Sequence, residues 1–441
     1  MSDSRARIFM KNHAVQIVET LRKHGFHALF VGGCVRDMLM GSAPGDYDIV
    51  TDAAPQQVKR IFKRTVPVGV QFGISLVVMR GVKFEVAQFR NMPDSAVKSD
   101  MTDLLREDAR HRDFTINGMA FDPVTEQVYD FVGGQEDIRL RRIRGIGDAR
   151  ARFLEDRLRT IRAVRFAARF EYAIEAETLD AICEFAPQIG QVSIERVREE
   201  LLKILTAPRA DDALRLLDET GLLSAILPEI SALKGVAQPP EFHPEGDVFT
   251  HTRIMLQYMN NPSPELAMAA LLHDVGKPKT FMITDRIRFH QHEIVGAAMA
   301  QDICERLKFS AKSTEKIVAL VGNHQKFGSV REMKTSTLKR FLRQEHFADL
   351  LELHRLDRLS SRRPLDSYQF CLDKLHEFEH EHIHPPRLIS GEDLLALGFQ
   401  PGPVFKEIME YVEDAQLEGE IATRDHALEL LKDLRDTGVM R

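Results

Sequence analysis

Strand-forming segments crowd into the first ~130 residues, and beyond about residue 150 the chain reads almost entirely as amphipathic helix. That asymmetry constrains the fold most. It predicts an α+β chain, a small α/β head on a long, elongated all-α body. In the head, HALFVGG (27–33) is a short apolar run ending in glycines, followed by the helix-like VRDMLMG. YDIVTD, GISLVVM and VKFEVAQF read as three further strands rich in Val and Ile, and PQQVKRIFKR reads as a helix between the first two. The body supplies LRTIRAVRFAARF, ERVREELLKIL and DDALRLLDETGLL as helical patterns. Pro239-Pro240 and His243-Pro244 break the series, and HPPRLISGEDLLALGFQPGP breaks it again before a last helical stretch. The expected division is a head over 1–138, a helical neck over 139–235, a histidine-bearing helical domain over 236–380 and a tail over 381–441.

Composition excludes several classes. The 441 residues are enough for two to four domains, and 44% hydrophobic with 29% charged residues excludes global disorder. The net charge of −6 requires any nucleic-acid contact to use a local basic surface. No run approaches the ~18 apolar residues that span a bilayer, so no membrane association is expected. The start, MSDSRARIFMKNH, carries no apolar signal core. Four widely spaced cysteines (Cys34, Cys183, Cys304, Cys371) predict a reducing cytoplasm and argue against disulfide staples and thiolate zinc sites.

The densest local signal is GGCVRDMLMGSAPGDYDIV, residues 32–50. Gly32 and Gly33 lie between a strand and a helix, where bare backbone N–H groups can face an anion, although such pairs are also ordinary turns. Asp46 and Asp48 are two apart on a strand, so both carboxylates project to one face. They are either a solvated strand edge or a pair that needs a cation between them. Glu85, in VKFEVAQF with Lys83 and Ala87 on its face, adds a third acid. Three carboxylates on adjacent strands beside a glycine turn are what Mg²⁺ ions need to hold a nucleoside triphosphate.

Further on, Glu155-Asp156-x-x-Arg159 opens a helical pattern that continues through Arg162 and Arg165, with Leu158, Ile161 and Val164 on another stripe. Residues 139–170 hold eleven arginines, no lysine and three acids. A solvated helix face often accounts for such a charge run, but here it must explain arginine without lysine, and the planar guanidinium suits base edges and phosphates.

In order, GGCVRD, Gly41, DYDIVT, RDFTING and EDRLRTIRAVRFAARF closely resemble the class II tRNA nucleotidyltransferases and bacterial poly(A) polymerases, over roughly residues 15–230. The resemblance implies a polymerase-β-like nucleotidyltransferase head. It implies catalytic Asp46, Asp48 and Glu85 with Mg²⁺ at the two aspartates. It also implies nucleotide binding by Gly32, Gly33, Arg36, Arg112, Asp113, Asn117, Asp156, Arg159, Arg162 and Arg165. His111 stands where the family usually has an arginine. Asp156 and Arg159 would be the amino-acid template: a carboxylate accepts from the amino group shared by cytosine and adenine, and a guanidinium donates to the neighbouring ring acceptor.

The body carries a second constellation, His251, His273-Asp274, His292, His324 and Asp357. Imidazole plus carboxylate suits a divalent transition metal such as Mn, Ni or Fe. His290 is an alternative to His292, and Gly276 reads as a helix stop. The pattern over about 243–360 resembles the HD metal-dependent phosphohydrolase superfamily, many of whose members have lost activity. The tail, SGEDLLALGFQPGPVFKEIMEYV, resembles the C-terminal segment of nucleotidyltransferases with such a domain, and implies a tRNA contact.

The expected activity is therefore template-independent addition or repair of the 3′ CCA end of tRNA from CTP and ATP, with no obligate protein partner evident. Between Arg90 and His111 the stretch NMPDSAVKSDMTDLLREDAR, with Lys98, Asp100 and Asp103, is shorter than in full CCA-adding relatives. That leaves CC addition alone as an alternative, with A addition or poly(A) synthesis behind it. Hydrolysis of phosphate or cyclic phosphate at RNA ends is a possible additional activity, and a non-catalytic tRNA-binding module is disfavoured.

Overall fold

The computed structural model describes residues 3–67, 73–90, 100–241, 243–378 and 385–436. The chain divides into two compact units, Met1–Pro228 and Glu229–Arg441. None of the described helices is long and apolar enough to cross a membrane.

The first unit is built on a seven-stranded sheet: β1 (Ala28–Val31), β2 (Asp48–Thr51), β3 (Thr65–Pro67), β4 (Ile74–Met79), β5 (Val82–Gln88), β6 (Ala120–Asp122) and β7 (Gln127–Tyr129). Its order is β3-β4-β5-β2-β1-β6-β7, and only β2 and β5 run parallel. The period-2 alternation sends Ile49, Phe84 and Val86 to one face, where they pack with Phe30, Tyr47 and the helix Asp3–Lys23. Leu29, Val31 and Val50 go to the other face and meet Leu104 and Leu105 of the helix Met101–Arg110. Asp48 and Glu85 project from that second face. The sheet pairs Ile49 with Val86, so the residues just before them, Asp48 and Glu85, are cross-strand neighbours.

The α+β expectation holds, with strands where HALFVGG, YDIVTD, GISLVVM and VKFEVAQF predict them. Two differences have physical causes. The body is not strand-free: Phe281–Ile283 and Ile287–Phe289 form a hairpin, which the alternation in FMITDRIRF could have signalled. The helix carrying the arginine stripe does not include Asp156. One helix ends at Glu155, Asp156 takes an extended conformation (φ −151°, ψ 102°), and Leu158–Phe170 begins anew with its Leu158 N–H donating to Asp156 Oδ1 at 3.1 Å. Leu158, Ile161 and Val164 are buried on that helix.

Fully buried Asp137 pins the segment that leads into the site. It accepts from Thr115 Oγ1 at 2.6 Å and pairs with Arg142 and Arg144 at 2.5 and 2.8 Å. In the second unit, one histidine or aspartate after another is brought inward by helices Val248–Gln257, Pro264–Leu272, His292–Arg306, Ala311–Asn323 and Phe347–Ser360. The tail folds as Gly391–Ala396, Pro403–Leu417 and Arg424–Asp436 around Leu394, Ile408, Val412 and Leu431.

Gly276 is not the left-handed helix stop its position suggests, because its φ is −78°. A Cβ there would lie 2.2 Å from the His292 carbonyl oxygen and 2.7 Å from Gly296 N, so it is glycine for close backbone packing. We expect Gly276→Ala to cost about 1–3 kcal/mol of stability, the range for overpacking a tight interior. Denaturant unfolding of the variant checks this, and an unchanged midpoint would contradict the packing assignment.

Candidate functional site

Beside the sheet lies a cleft of about 750 Å³. Gly32 and Gly33, Arg36, Asp46, Asp48, Arg112, Asp113, Asn117, Asp156, Arg159, Arg162 and Arg165 all line it. Of the thirteen residues singled out for this site, only Glu85 is not on its wall. It stands exposed on β5, close enough to Asp48 to act on its charge. Asp46 is exposed in the turn before β2 rather than on the strand, while Tyr47 between the two aspartates turns into the core against Phe30. The proposed contacts of Lys98 fall outside the described residues. Asp100 instead caps a helix by accepting from Thr102 N–H, and Asp103 sits in that helix's first turn.

Gly32 needs to be glycine twice over. Its φ is +77°, and a Cβ would come within 2.8 Å of the Arg112 guanidinium. Arg112 is held by Asp108 at 2.9 Å. His111, where an arginine was expected, offers its backbone carbonyl to Arg159 at 2.9 Å, and its ring meets Glu107 at 3.1 Å.

A buried ion chain runs through the cleft wall. Arg36 donates to Asn117 Oδ1 at 2.6 Å, and Asn117 donates to Asp113 Oδ1 at 3.0 Å. Asp113 Oδ2 accepts two bonds from Arg162 at 2.9 and 2.6 Å, and Arg165 pairs with buried Glu200 at 2.7 Å. Burial alone would raise the Asp113 carboxyl, but Arg162 and Asn117 hold it below the usual carboxylate range. Asp156 accepts from Arg196 at 3.2 and 2.7 Å, and Arg159 donates to the Arg152 and His111 carbonyls and to Glu155. Arg196, Glu200, Phe166 and Arg169 escape a sequence reading. They lie outside the recognised strings or inside helical runs whose period only announces a core.

The acid cluster has the opposite character. Among the described residues, no hydrogen bond reaches the side chains of Asp46, Asp48 or Glu85. Burial, then Asp46, then Glu85 push the Asp48 carboxyl up to about 6. The nearby Arg112 charge offsets only part of this repulsion, and carboxylates left without a hydrogen-bond donor fit a divalent cation. Their potential ligand atoms do not form one of the tight clusters seen in the second unit.

There, His251, His273 and Asp357 form one cluster and Asp274, His292 and His324 another, each with ligand atoms within 4.8 Å. Asp274 joins them. Its Oδ2 lies 3.1 Å from His273 Nε2, and its Oδ1 lies 3.4 and 3.9 Å from His292 and His324 Nε2. Every predicted residue of this set is drawn in, and His290 is exposed. Asp274 Oδ1, His251 Nε2 and His273 Nε2 are buried without a well-formed hydrogen bond, while Asp274 Oδ2 meets the Lys277 ammonium at 2.6 Å. Each ring is locked from behind: His251 Nδ1 by Glu245 at 2.7 Å, His273 by the Ala270 carbonyl at 2.9 Å, His292 by the Phe289 carbonyl at 3.0 Å and His324 by the Val321 carbonyl at 2.6 Å. Those acceptors place the proton on Nδ1 and aim the Nε2 lone pairs inward, as metal ligation requires. Burial opposes the charge, yet Asp357 and Glu245 lift the His251 imidazole to about 9, a sign of surplus negative charge in the cage. Glu245, which also accepts from His243 Nδ1 at 2.9 Å, and Lys277, 2.6 Å from Asp274, were not anticipated.

The raised Asp48 carboxyl gives a testable pH dependence. Without a cation, its ionisation opposes folding, so stability falls as pH rises from about 4 through about 6. We expect Asp48→Asn to raise stability in EDTA at pH 7 by on the order of 1–2 kcal/mol and to have no such effect at pH 4. Thermal unfolding at the two pH values measures it, and equal effects at both would refute the electrostatic cause.

Comparison with known proteins agrees with this layout. Residues 28–144 match the poly A polymerase head domain, 171–234 the probable RNA and SrmB-binding site of polymerase A, and 247–359 the HD domain. The CCA-adding enzyme of Anoxybacillus flavithermus is 41% identical over 226 residues, which is 50% of this chain and 56% of that protein. That of Geobacillus thermodenitrificans is 43% identical over 223 residues, 49% of this chain and 55% of that protein. The matched stretch thus spans about half the length of these curated relatives. The crystal structure of the Bacillus stearothermophilus CCA-adding enzyme in complex with CTP superposes with a TM-score of 0.73 at 27% identity, covering 96% of this chain and 98% of that one. A Thermotoga maritima CCA-adding enzyme complexed with tRNA, at 19% identity and a TM-score of 0.58, shares the fold. Segments matching a poly A polymerase head, a polymerase RNA-binding region and an HD domain thus follow one another along this chain in that order.

Proposed function

We propose that this chain is a nucleotidyltransferase that builds or repairs the CCA end of tRNA in the cytoplasm, using CTP and ATP. The observation that carries the reading is the single cleft in which a glycine turn, two aspartates and the arginine stripe converge. Mg²⁺ bound at Asp46 and Asp48 would activate the attacking 3′ hydroxyl and stabilise the leaving pyrophosphate. Gly32 and Gly33 give the triphosphate a close backbone approach, and Arg36 and Arg112 flank it. Asp156 and Arg159 present an acceptor beside a donor, the complement of the edge that cytosine and adenine share and that uracil and guanine reverse. As a base enters, Asp156 exchanges its Arg196 contact for the exocyclic amino group. The relatives named CCA-adding enzymes favour full CCA over CC addition, A addition or poly(A) synthesis. The short stretch that raised the CC alternative lies largely at 91–99, outside the described residues. The reading assigns 1–138 to catalysis, 139–235 to template and tRNA binding, 236–380 to the HD centre and 381–441 to a tRNA contact.

We expect Asp46→Ala to abolish incorporation on tRNA lacking its terminus while tRNA binding stays within about threefold, because the aspartate serves chemistry rather than docking. Incorporation from each of the four nucleotides, beside a tRNA-binding titration, tests this. Normal CTP incorporation by the variant, or equal use of all four nucleotides by the unaltered chain, would overturn the reading.

The locked histidine cage favours a second, metal-dependent phosphohydrolase reading for the HD centre, with Mn, Ni or Fe held by His251, His273, Asp274, His292, His324 and Asp357. We expect His273→Ala to lower transition-metal content and phosphomonoester hydrolysis at least tenfold, by loss of one ligand. Nucleotide addition should remain within about twofold. Metal analysis beside both activity assays checks it, and a parallel fall in addition by folded protein would join the two sites.

A further inference from the structure

Two aromatic rings underlie the arginines of the nucleotide cleft. Phe166 and Phe170, one helical turn apart, stack with centroids 5.9 Å apart and planes 5° from parallel. Arg165 lies 4.2 Å and Arg162 5.4 Å from the Phe166 centroid. Arg36, from the distant glycine-turn helix, lies 5.3 Å from Phe166 and 4.7 Å from Phe170, and Arg169 lies 5.2 Å from Phe170. Phe166 is 4% exposed and fixed from another side by Phe114, edge-on at 5.9 Å.

Four like charges gathered so closely repel one another. Asp113, Glu200 and Asp37 each answer one of them, at 2.6, 2.7 and 2.6 Å. Arg169 has no carboxylate partner among the described residues. The wall therefore keeps a surplus of positive charge, which the electron-rich ring faces help to hold in place. A guanidinium held between a ring face and a carboxylate is already ordered, and such a fork loses less freedom when its remaining N–H groups take up a phosphate. Arg159, on the base-reading side, makes no such ring contact among the described residues.

We propose that Phe166, with Phe170, is a positioning residue that pre-orders Arg36, Arg162, Arg165 and Arg169 for the triphosphate of the incoming nucleotide, and takes no part in choosing the base. The proposal rests on the nucleotidyltransferase reading above. An aliphatic residue of similar volume would fill the space and lose the platform, whereas tyrosine would keep it.

The test is calorimetric binding of CTP, CDP and CMP to the full chain with Mg²⁺, for the unaltered protein, Phe166→Leu and Phe166→Tyr, with thermal unfolding alongside. Phe166→Leu should weaken CTP about tenfold, from the loss of two or three cation–π contacts. CDP should weaken less and CMP by no more than twofold. Phe166→Tyr should stay within about twofold for all three ligands, and the preference for CTP over UTP should not change in either variant. If Phe166→Leu does not fold, Phe170→Leu, at a half-buried position, strips Arg36 and Arg169 alone and should weaken CTP about threefold with CMP unaffected. Equal weakening of CTP and CMP would show a merely structural ring. Unchanged CTP binding with weakened tRNA binding would assign the arginines to the RNA backbone. Either result overturns the proposal. No CTP binding by the unaltered chain would overturn the nucleotidyltransferase reading itself, and the platform with it.

Discussion

The buried bond between Asp113 and Arg162 is the contact on which the cleft depends. It joins the strand-rich head, through the turn after Arg112, to the arginine-bearing helix Leu158–Phe170. Asn117 and Arg36 extend it to the glycine turn, and Arg165 with Glu200 extends it to the helix Ile194–Leu205. A charge buried this deeply is tolerable only when paired and hydrogen-bonded, and each member of the chain satisfies the next. Removing one member would leave an uncompensated charge, so the geometry of the glycine turn and of the arginine stripe are locked to each other.

The cleft and the HD cage store electrostatic stress in similar ways. In the head, carboxylates crowd with no hydrogen-bond donor among the described residues and only the Arg112 charge to relieve them, and the Asp48 carboxyl is pushed up to about 6. In the cage, buried carboxylate oxygens and imidazole nitrogens face one another without hydrogen bonds. Folded proteins rarely leave buried polar atoms unsatisfied, and a cation is the simplest group that satisfies all of them together. The cage differs in how firmly it is preset. Four backbone or carboxylate acceptors choose the tautomer of four rings, so its ligands are aimed by the fold, whereas Asp46 is exposed on a turn.

Much of this was legible from residues alone. Alternation in YDIVTD and VKFEVAQF announces strands, since the period-2 pleat separates core from solvent residue by residue. The two-residue spacing of Asp46 and Asp48 was legible too, with Tyr47 buried between them, although the strand begins only at Asp48. The HD residues were also legible, because an adjacent His-Asp at the end of a buried helix has few other uses. Less visible were the hairpin at 281–289, whose short strands sit within a helical region, and the helix break at Asp156, where a carboxylate caps Leu158 instead of continuing the helix.

The sequence by itself determined the fold class and the types of side chain available to each centre, because period, turn chemistry and motif order are local properties of the chain. Only the tertiary structure decided which charges are answered and which are left open. Arg196 meets Asp156 across 40 positions, Glu200 meets Arg165 across 35, and Arg36 meets Asn117 across 81. No periodicity encodes such pairs. They exist because packed helices and strands bring distant side chains into a medium of low dielectric, where an unpaired charge is costly and each must find a partner, a proton or a metal.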